Sequence, residues 1–201
     1  MTLIVGLTGG IASGKSTVST MLKEMNIPVI DADVEARLAV GKNEAAYNQI
    51  VAEFGTTILL PDGEIDRSKL GAIVFHNEQK RQRLNQIVHP EVRRRMTEKK
   101  EAAIKRGEEI VVLDIPLLFE SKLTYMVDKT ILVYVDPKVQ LQRLMQRNQF
   151  SVEEAKARIN AQMPLREKKK LADVRLDNNG SITETKRQLE EILSRWGLTL
   201  K

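Results

Sequence analysis

The chain has 201 residues, 42% hydrophobic and only 4% aromatic, with 32 basic residues against 27 acidic for a net charge of +5. That length suits one α/β core carrying insertions better than two independent domains. The absence of cysteine excludes disulfides, thiolate metal sites and cysteine nucleophiles, and no apolar run approaches the ~20 residues that span a bilayer, so a soluble, cytoplasmic protein with no membrane partner is expected.

Leu3-Ile4-Val5-Gly6-Leu7 is an apolar run of strand length, too short for a core helix. Residues 9–16 follow it as Gly-Gly-Ile-Ala-Ser-Gly-Lys-Ser, a complete G-x-x-x-x-G-K-S phosphate loop. Gly10, Ile11, Ala12, Ser13 and Gly14 would turn successive backbone N–H groups toward phosphate oxygens. Lys15 would reach the terminal phosphates and the Ser16 hydroxyl would ligate Mg²⁺. Thr17 lies in the helix that Ser16 opens, where Val18, Met21 and Leu22 recur at i, i+3, i+4 and the helix dipole favours anions. Strand, loop and helix stand in the order that binds a nucleoside triphosphate.

Pro28-Val29-Ile30 leads into Asp31-Ala32-Asp33. At a strand end, positions i and i+2 point the same way, so both carboxylates could face a cleft. Phosphoryl transfer to a hydroxyl needs one carboxylate to organise metal and one to take the proton. Asp31, nearer the sheet, suits the first role and Asp33 the second; the plainer alternative is a pair of helix-capping aspartates before Val34-Glu35-Ala36.

About eighty residues then intervene before the next strand, far more than one crossover needs. Pro61-Asp62-Gly63 marks a turn, while Leu70/Ile73/Val74 and Leu84/Ile87/Val88 mark amphipathic helices. This stretch reads as a helical insert that binds the second substrate. His89, alone in it, is a structural histidine or a functional one. Basic runs at Arg93-Arg94-Arg95, Lys99-Lys100 and Lys168-Lys169-Lys170 are interleaved with Glu91, Glu98, Glu101 and Glu167 and lack aromatic platforms. They point to a phosphorylated substrate or a solvated face rather than nucleic acid.

Ile110-Val111-Val112-Leu113 leads into Asp114, Ile131-Leu132-Val133-Tyr134-Val135 into Asp136, and Val174-Arg175-Leu176 into Asp177. Each places a carboxylate at the strand edge where open α/β sheets gather ligands. Helical patterns between the runs give a parallel sheet of five strands. Pro137 suits the first position of a helix capped by Asp136, Asn148-Gln149-Phe150 breaks that helix, and Ser151-x-x-Glu154 opens a second as a capping box that ends near Pro164. Arg143 and Arg147 share a face there and could close on the transferring phosphate, as a lid, or stay solvated. Asp177-Asn178-Asn179-Gly180 is a turn whose place at the sheet edge lets it border a base, and Ser181-x-x-Glu184 caps the last helix.

Together the segment Val5–Thr17, Val29-Ile30-Asp31-Ala32-Asp33, His89-Pro90, Pro116-Leu117-Leu118-Phe119-Glu120, Gln162-Met163-Pro164 and Ala172-Asp173 with Asn178-Asn179-Gly180 resemble the dephospho-coenzyme A kinase family over nearly the whole chain. The resemblance implies an α/β P-loop kinase fold of three layers, α/β/α, with a helical substrate-binding insert and a helical lid. It divides the chain into a nucleotide-binding core (1–34, 108–136 and 171–201), an insert (35–107) and a lid (137–170).

It also implies transfer of the ATP γ-phosphate to the ribose 3′-hydroxyl of dephospho-CoA, the last step of coenzyme A synthesis, with ATP and Mg²⁺ and a monomer favoured. Carried over, Ala12 to Thr17 hold ATP, beside Gly10 and Ile11 of the same loop and Asn178 and Asn179 of the turn, and Asp33 matches the proposed base. Lys15, Arg143 and Arg147 serve catalysis, while His89, Pro116, Leu117 and Leu118 join Asp33 at the acceptor. Ser16 holds the metal with Asp31, Asp114 or both. Rival readings are a P-loop kinase for another small hydroxyl acceptor and a nucleic-acid-stimulated ATPase. A GTPase switch would need an Asn-Lys-x-Asp motif that the chain lacks.

Overall fold

The computed structural model describes residues 1–198. The chain divides into two units, Met1–Ile30 with Ala103–Lys201, and Asp31–Ala102.

The first unit is built on the five expected strands: β1 (Leu3–Gly9), β2 (Val29–Asp31, whose last residue opens the second unit), β3 (Ile110–Asp114), β4 (Lys129–Tyr134) and β5 (Val174–Asp177). Their order is β2-β3-β1-β4-β5, and β1 runs parallel to β3 and β4, as β4 does to β5. The five-stranded parallel sheet read from the sequence is therefore present. Because β1 lies between β3 and β4, the chain leaving its C-terminal end emerges where successive crossovers diverge, the crevice where such sheets bind ligands.

Helices cover both faces. On one side α1 (Lys15–Glu24) and α9 (Ile182–Arg195) bury Val18, Leu22, Leu189 and Leu193 against Val5, Leu7, Val112, Ile131 and Val133. Each of those fully buried aliphatic chains contributes about 1.5–3 kcal/mol. On the other side, Leu165 of α8 (Leu165–Leu171) packs on Leu132 and Val135. Along the chain α6 (Pro137–Asn148) and α7 (Val152–Asn160) stand between β4 and α8. Gln149, in the left-handed region at φ 56°, terminates α6, and the Ser151/Glu154 capping box opens α7 as read from the sequence. Pro137 does open α6, but Asp136 makes no side-chain cap. Its carboxylate instead engages Tyr134, whose hydroxyl pKa is raised by burial and then by that negative charge.

The second unit holds α2 (Ala32–Ala39), α3 (Ala45–Phe54), α4 (Arg67–Phe75) and most of α5 (Glu78–Lys105). Ala46, Ile50, Ile58, Ile65, Leu70 and Ile87 form its core. The Pro61-Asp62-Gly63 turn is present, closed by Gly63 N–H donating to the Leu60 carbonyl at 2.9 Å. Much of the basic charge on α5 is matched locally: Arg94 clasps Glu91 and Glu98, while Arg95 and Lys99 hold the buried Glu35 of α2. Among the described residues no helix is long and apolar enough to cross a membrane.

Candidate active site

The phosphate loop joins β1 to α1. Two of its residues sit in the left-handed region, Ala12 at φ 59° and Gly14 at φ 87°. An L-residue there costs about 1–2 kcal/mol, which Ala12 bears and glycine avoids. Left-handed residues alternating with the ordinary kind aim consecutive N–H groups into one concavity, a nest for anions. Gly14 also caps α1 without a side chain, so the helix N-terminus faces the same way.

Long-range contacts hold this strained loop. The Asn178 side-chain amide donates to the Ser13 carbonyl at 2.8 Å and accepts from the Thr185 hydroxyl at 2.7 Å. Gln140 of α6 donates to the Ile11 carbonyl at 2.8 Å, and the Ile11 N–H donates to Gln162 at 2.8 Å. Asn179 accepts from the Asp136 N–H at 2.8 Å, fixing the turn beside Asn178. The Ser13 hydroxyl is buried with no partner among the described residues, a polar atom inside a cradle shaped for oxygen-rich ligands.

A Cβ on Gly14 would fall inside the Asn178 amide, and φ 87° would be strained for any other residue. Gly14→Ala is therefore expected to lower the melting temperature and weaken nucleotide binding by tenfold or more, since a clash and a left-handed penalty of about 1–2 kcal/mol add. Thermal melts and nucleotide titration check it; unchanged values in both would contradict this account of the loop.

Lys15 forms an ion pair with Asp114, the last residue of β3 and 1% exposed. An ammonium carries three donors, so this bond steers Lys15 and leaves capacity for phosphate oxygens. Ser16, exposed at the first turn of α1, and Asp114, the ion-pair partner of the adjacent Lys15, each present a hard oxygen. Among the described residues no group of three or more His, Cys, Asp or Glu could hold a metal. One hydroxyl and one carboxylate suit Mg²⁺, which keeps water and takes the rest of its shell from phosphates.

Arg143 is half-buried, its Nη1 3.9 Å from where a Gly14 Cβ would stand. Arg147, one turn on, is exposed and donates from Nε to Asn148 at 2.8 Å. After β3, the Pro116 carbonyl accepts from the Thr8 hydroxyl at 3.0 Å, Leu117 is exposed, and Leu118 is fully buried where a Gly6 Cβ would collide with it.

In the second unit the strand-end geometry expected of the aspartate pair is not found. β2 ends at Asp31, whose Oδ1 accepts from the Asp33 N–H at 2.8 Å and the Val34 N–H at 3.2 Å, so the capping alternative describes Asp31. Asp33 consequently lies in the first turn of α2, exposed, where the helix dipole favours a negative charge. Capping leaves Oδ2 of Asp31 outside those two bonds. Glu35, two residues beyond Asp33, ties α2 to α5 through Arg95 and Lys99.

His89 lies on α5 beside Pro90, which cannot donate to the Gln86 carbonyl. Together with Gln82, Asn85, Gln86 and Arg93 they line an open hollow. Partial burial and then the Arg93 charge lower the His89 pKa below 6.5, favouring a neutral ring.

Sequence reasoning missed Gln140, Thr185 and Lys168. Lys168 stands in a basic run whose spacing points to a phosphorylated substrate or a solvated face, yet it is fully buried. The available signal was its i+3 spacing from Leu165, which puts both on one helix face.

A family model described as dephospho-CoA kinase matches residues 3–184. The dephospho-CoA kinase of Bacillus cereus (strain ATCC 10987 / NRS 248) is 61% identical over 198 residues, 98% of this chain and 99% of that protein. The corresponding protein of Geobacillus kaustophilus is 62% identical over 196 residues, 98% of each chain. The solved dephospho-CoA kinase of Campylobacter jejuni superposes with a TM-score of 0.75 at 30% identity, covering 98% of this chain and 100% of its own. A nest at the end of β1, braced from α6 and the turn after β5, thus sits in a chain that matches these relatives nearly end to end, and the chain belongs to the dephospho-CoA kinase family.

Proposed function

We propose that the chain transfers the γ-phosphoryl group of ATP to the ribose 3′-hydroxyl of dephospho-CoA, releasing ADP and coenzyme A, in the last step of coenzyme A synthesis. The observation that carries the ATP half is the phosphate loop, with its two left-handed residues and the Lys15–Asp114 pair. Family membership carries the acceptor, because no spacing rule encodes recognition of CoA.

In the reaction, the bond from the γ-phosphorus to the β–γ bridging oxygen breaks and a bond to the 3′-oxygen forms. Loop amides and Lys15 hold the β- and γ-phosphates, matching charge that grows on the bridging oxygen. Asp33 orients the acceptor hydroxyl and takes its proton. Arg143 and Arg147, on a lid formed by residues 137–170, meet the equatorial oxygens, and Asn178 and Asn179 border the adenine. Bound Mg²⁺, held by Ser16 with Asp31 or Asp114, would neutralise phosphate charge. His89, Pro116, Leu117 and Leu118 serve the acceptor: Pro116 and Leu118 shape the turn that presents Leu117, and a neutral His89 offers a donor and an acceptor. The cysteine-free chain suits the reducing cytoplasm.

A coupled ADP assay with a panel of acceptors tests the reading. Dephospho-CoA should support turnover above shikimate, gluconate and polynucleotide; ADP formation at background with dephospho-CoA would end it.

A further inference from the structure

Among the described residues the largest fully buried side chain is charged. Lys168 of α8 is 0% exposed. Removing an ammonium from water costs several kcal/mol unless oxygens replace the lost shell. Three do: the Gly9 carbonyl at 3.0 Å, the Pro116 carbonyl at 3.2 Å and Glu120 Oε1 at 2.9 Å. The three N–H donors of the ammonium are thereby matched one to one.

Those acceptors belong to segments the reaction uses. Gly9 ends β1 and opens the phosphate loop. Pro116 begins the turn after β3 and also accepts from Thr8, the neighbour of Gly9, at 3.0 Å. Glu120 accepts from the Met163 N–H at 3.1 Å, next to the Gln162 that receives the Ile11 N–H. One cation thus joins the root of the loop, the turn after β3 and the segment leading out of α7. Filling this space needs no charge, since Leu165 one turn earlier packs the same helix with an aliphatic chain.

We propose that Lys168 is a positioning residue for phosphoryl transfer. Through the Gly9 and Pro116 carbonyls it sets the distance between the phosphate loop and the turn after β3. That distance keeps the transferring phosphate in line with the acceptor hydroxyl. The proposal rests on the kinase reading above, with Pro116–Leu118 beside the acceptor.

The test uses Lys168→Met together with Glu120→Gln, which removes the buried ammonium and the half-buried carboxylate paired with it, and separately Thr8→Val, which removes one hydroxyl at nearly constant volume. For the double variant, kcat should fall about 100-fold, the scale of a small misplacement of reacting groups. Its Kd for ATP should stay within about threefold, and its melting temperature should recover most of what Lys168→Met alone loses. Thr8→Val should lower kcat several-fold with the same Kd for ATP. If kcat recovers along with the melting temperature, or kcat and ATP affinity fall in step, Lys168 is a structural or nucleotide-binding group and the proposal is overturned. Unchanged kcat in Thr8→Val overturns it even where the Lys168 variants do not fold. A wild-type protein inactive with dephospho-CoA would defeat the kinase reading and this proposal with it, and that result needs no variant.

Discussion

Lys15→Ala is expected to lower kcat/KM by about 10²–10³-fold, or about 3–4 kcal/mol of transition-state stabilisation, the scale for losing one preorganised donor at a developing charge. The lysine is already aimed by its ion pair with Asp114, so little reorganisation precedes its action on the phosphates. Its removal also takes a cation from a carboxylate that is 1% exposed, and the melting temperature should drop as well. Steady-state kinetics at saturating acceptor, read beside a thermal melt, separates the two losses. A folded variant with wild-type kcat/KM would refute the role given to the loop.

Asp33→Asn should reduce kcat by about 10²–10⁴-fold, the range for removing a positioned general base. Asparagine keeps the shape of the side chain, and the cap on α2 comes from Asp31, so the helix should persist. ATP affinity should therefore stay within about twofold of wild type, because the loop that binds it is built from other residues. Turnover at the wild-type rate would remove Asp33 as the base.

The contrast between these two residues shows what a sequence discloses about such a site. Lys15 was legible because the loop motif is contiguous: eight residues specify a backbone path, and the flanking strand and helix specify its direction. Asp33 was legible as a residue but not as geometry. An i/i+2 pair of carboxylates needs a strand that runs on through Asp33, whereas Asp31 caps a helix that starts at Ala32. A cap and a strand end look alike in sequence, because both place a short polar residue after an apolar run. The Ser151/Glu154 box and the Ser181 cap were legible because their partners lie three residues apart.

Asp136 was misread for the opposite reason. It stands in the capping position, but its carboxylate finds a partner in Tyr134. Gln140 and Lys168 act on residues 129 and 159 positions away, and Thr185 acts through Asn178, which reaches a residue 165 positions away; local pattern carries no trace of such partners. Leu118 shows how a motif can be right in place and mixed in role. It lies in the segment that resembles the family's acceptor region, yet its side chain is fully buried against β1.

The most direct measurement follows the transferred atom itself. The enzyme would be incubated with dephospho-CoA and ATP labelled in the γ-phosphoryl group, and the products resolved by mass spectrometry and phosphorus NMR. The account predicts one labelled monoester on the ribose 3′-oxygen for each ADP formed. Label released as inorganic phosphate, or carried on any other oxygen of the acceptor, would contradict it.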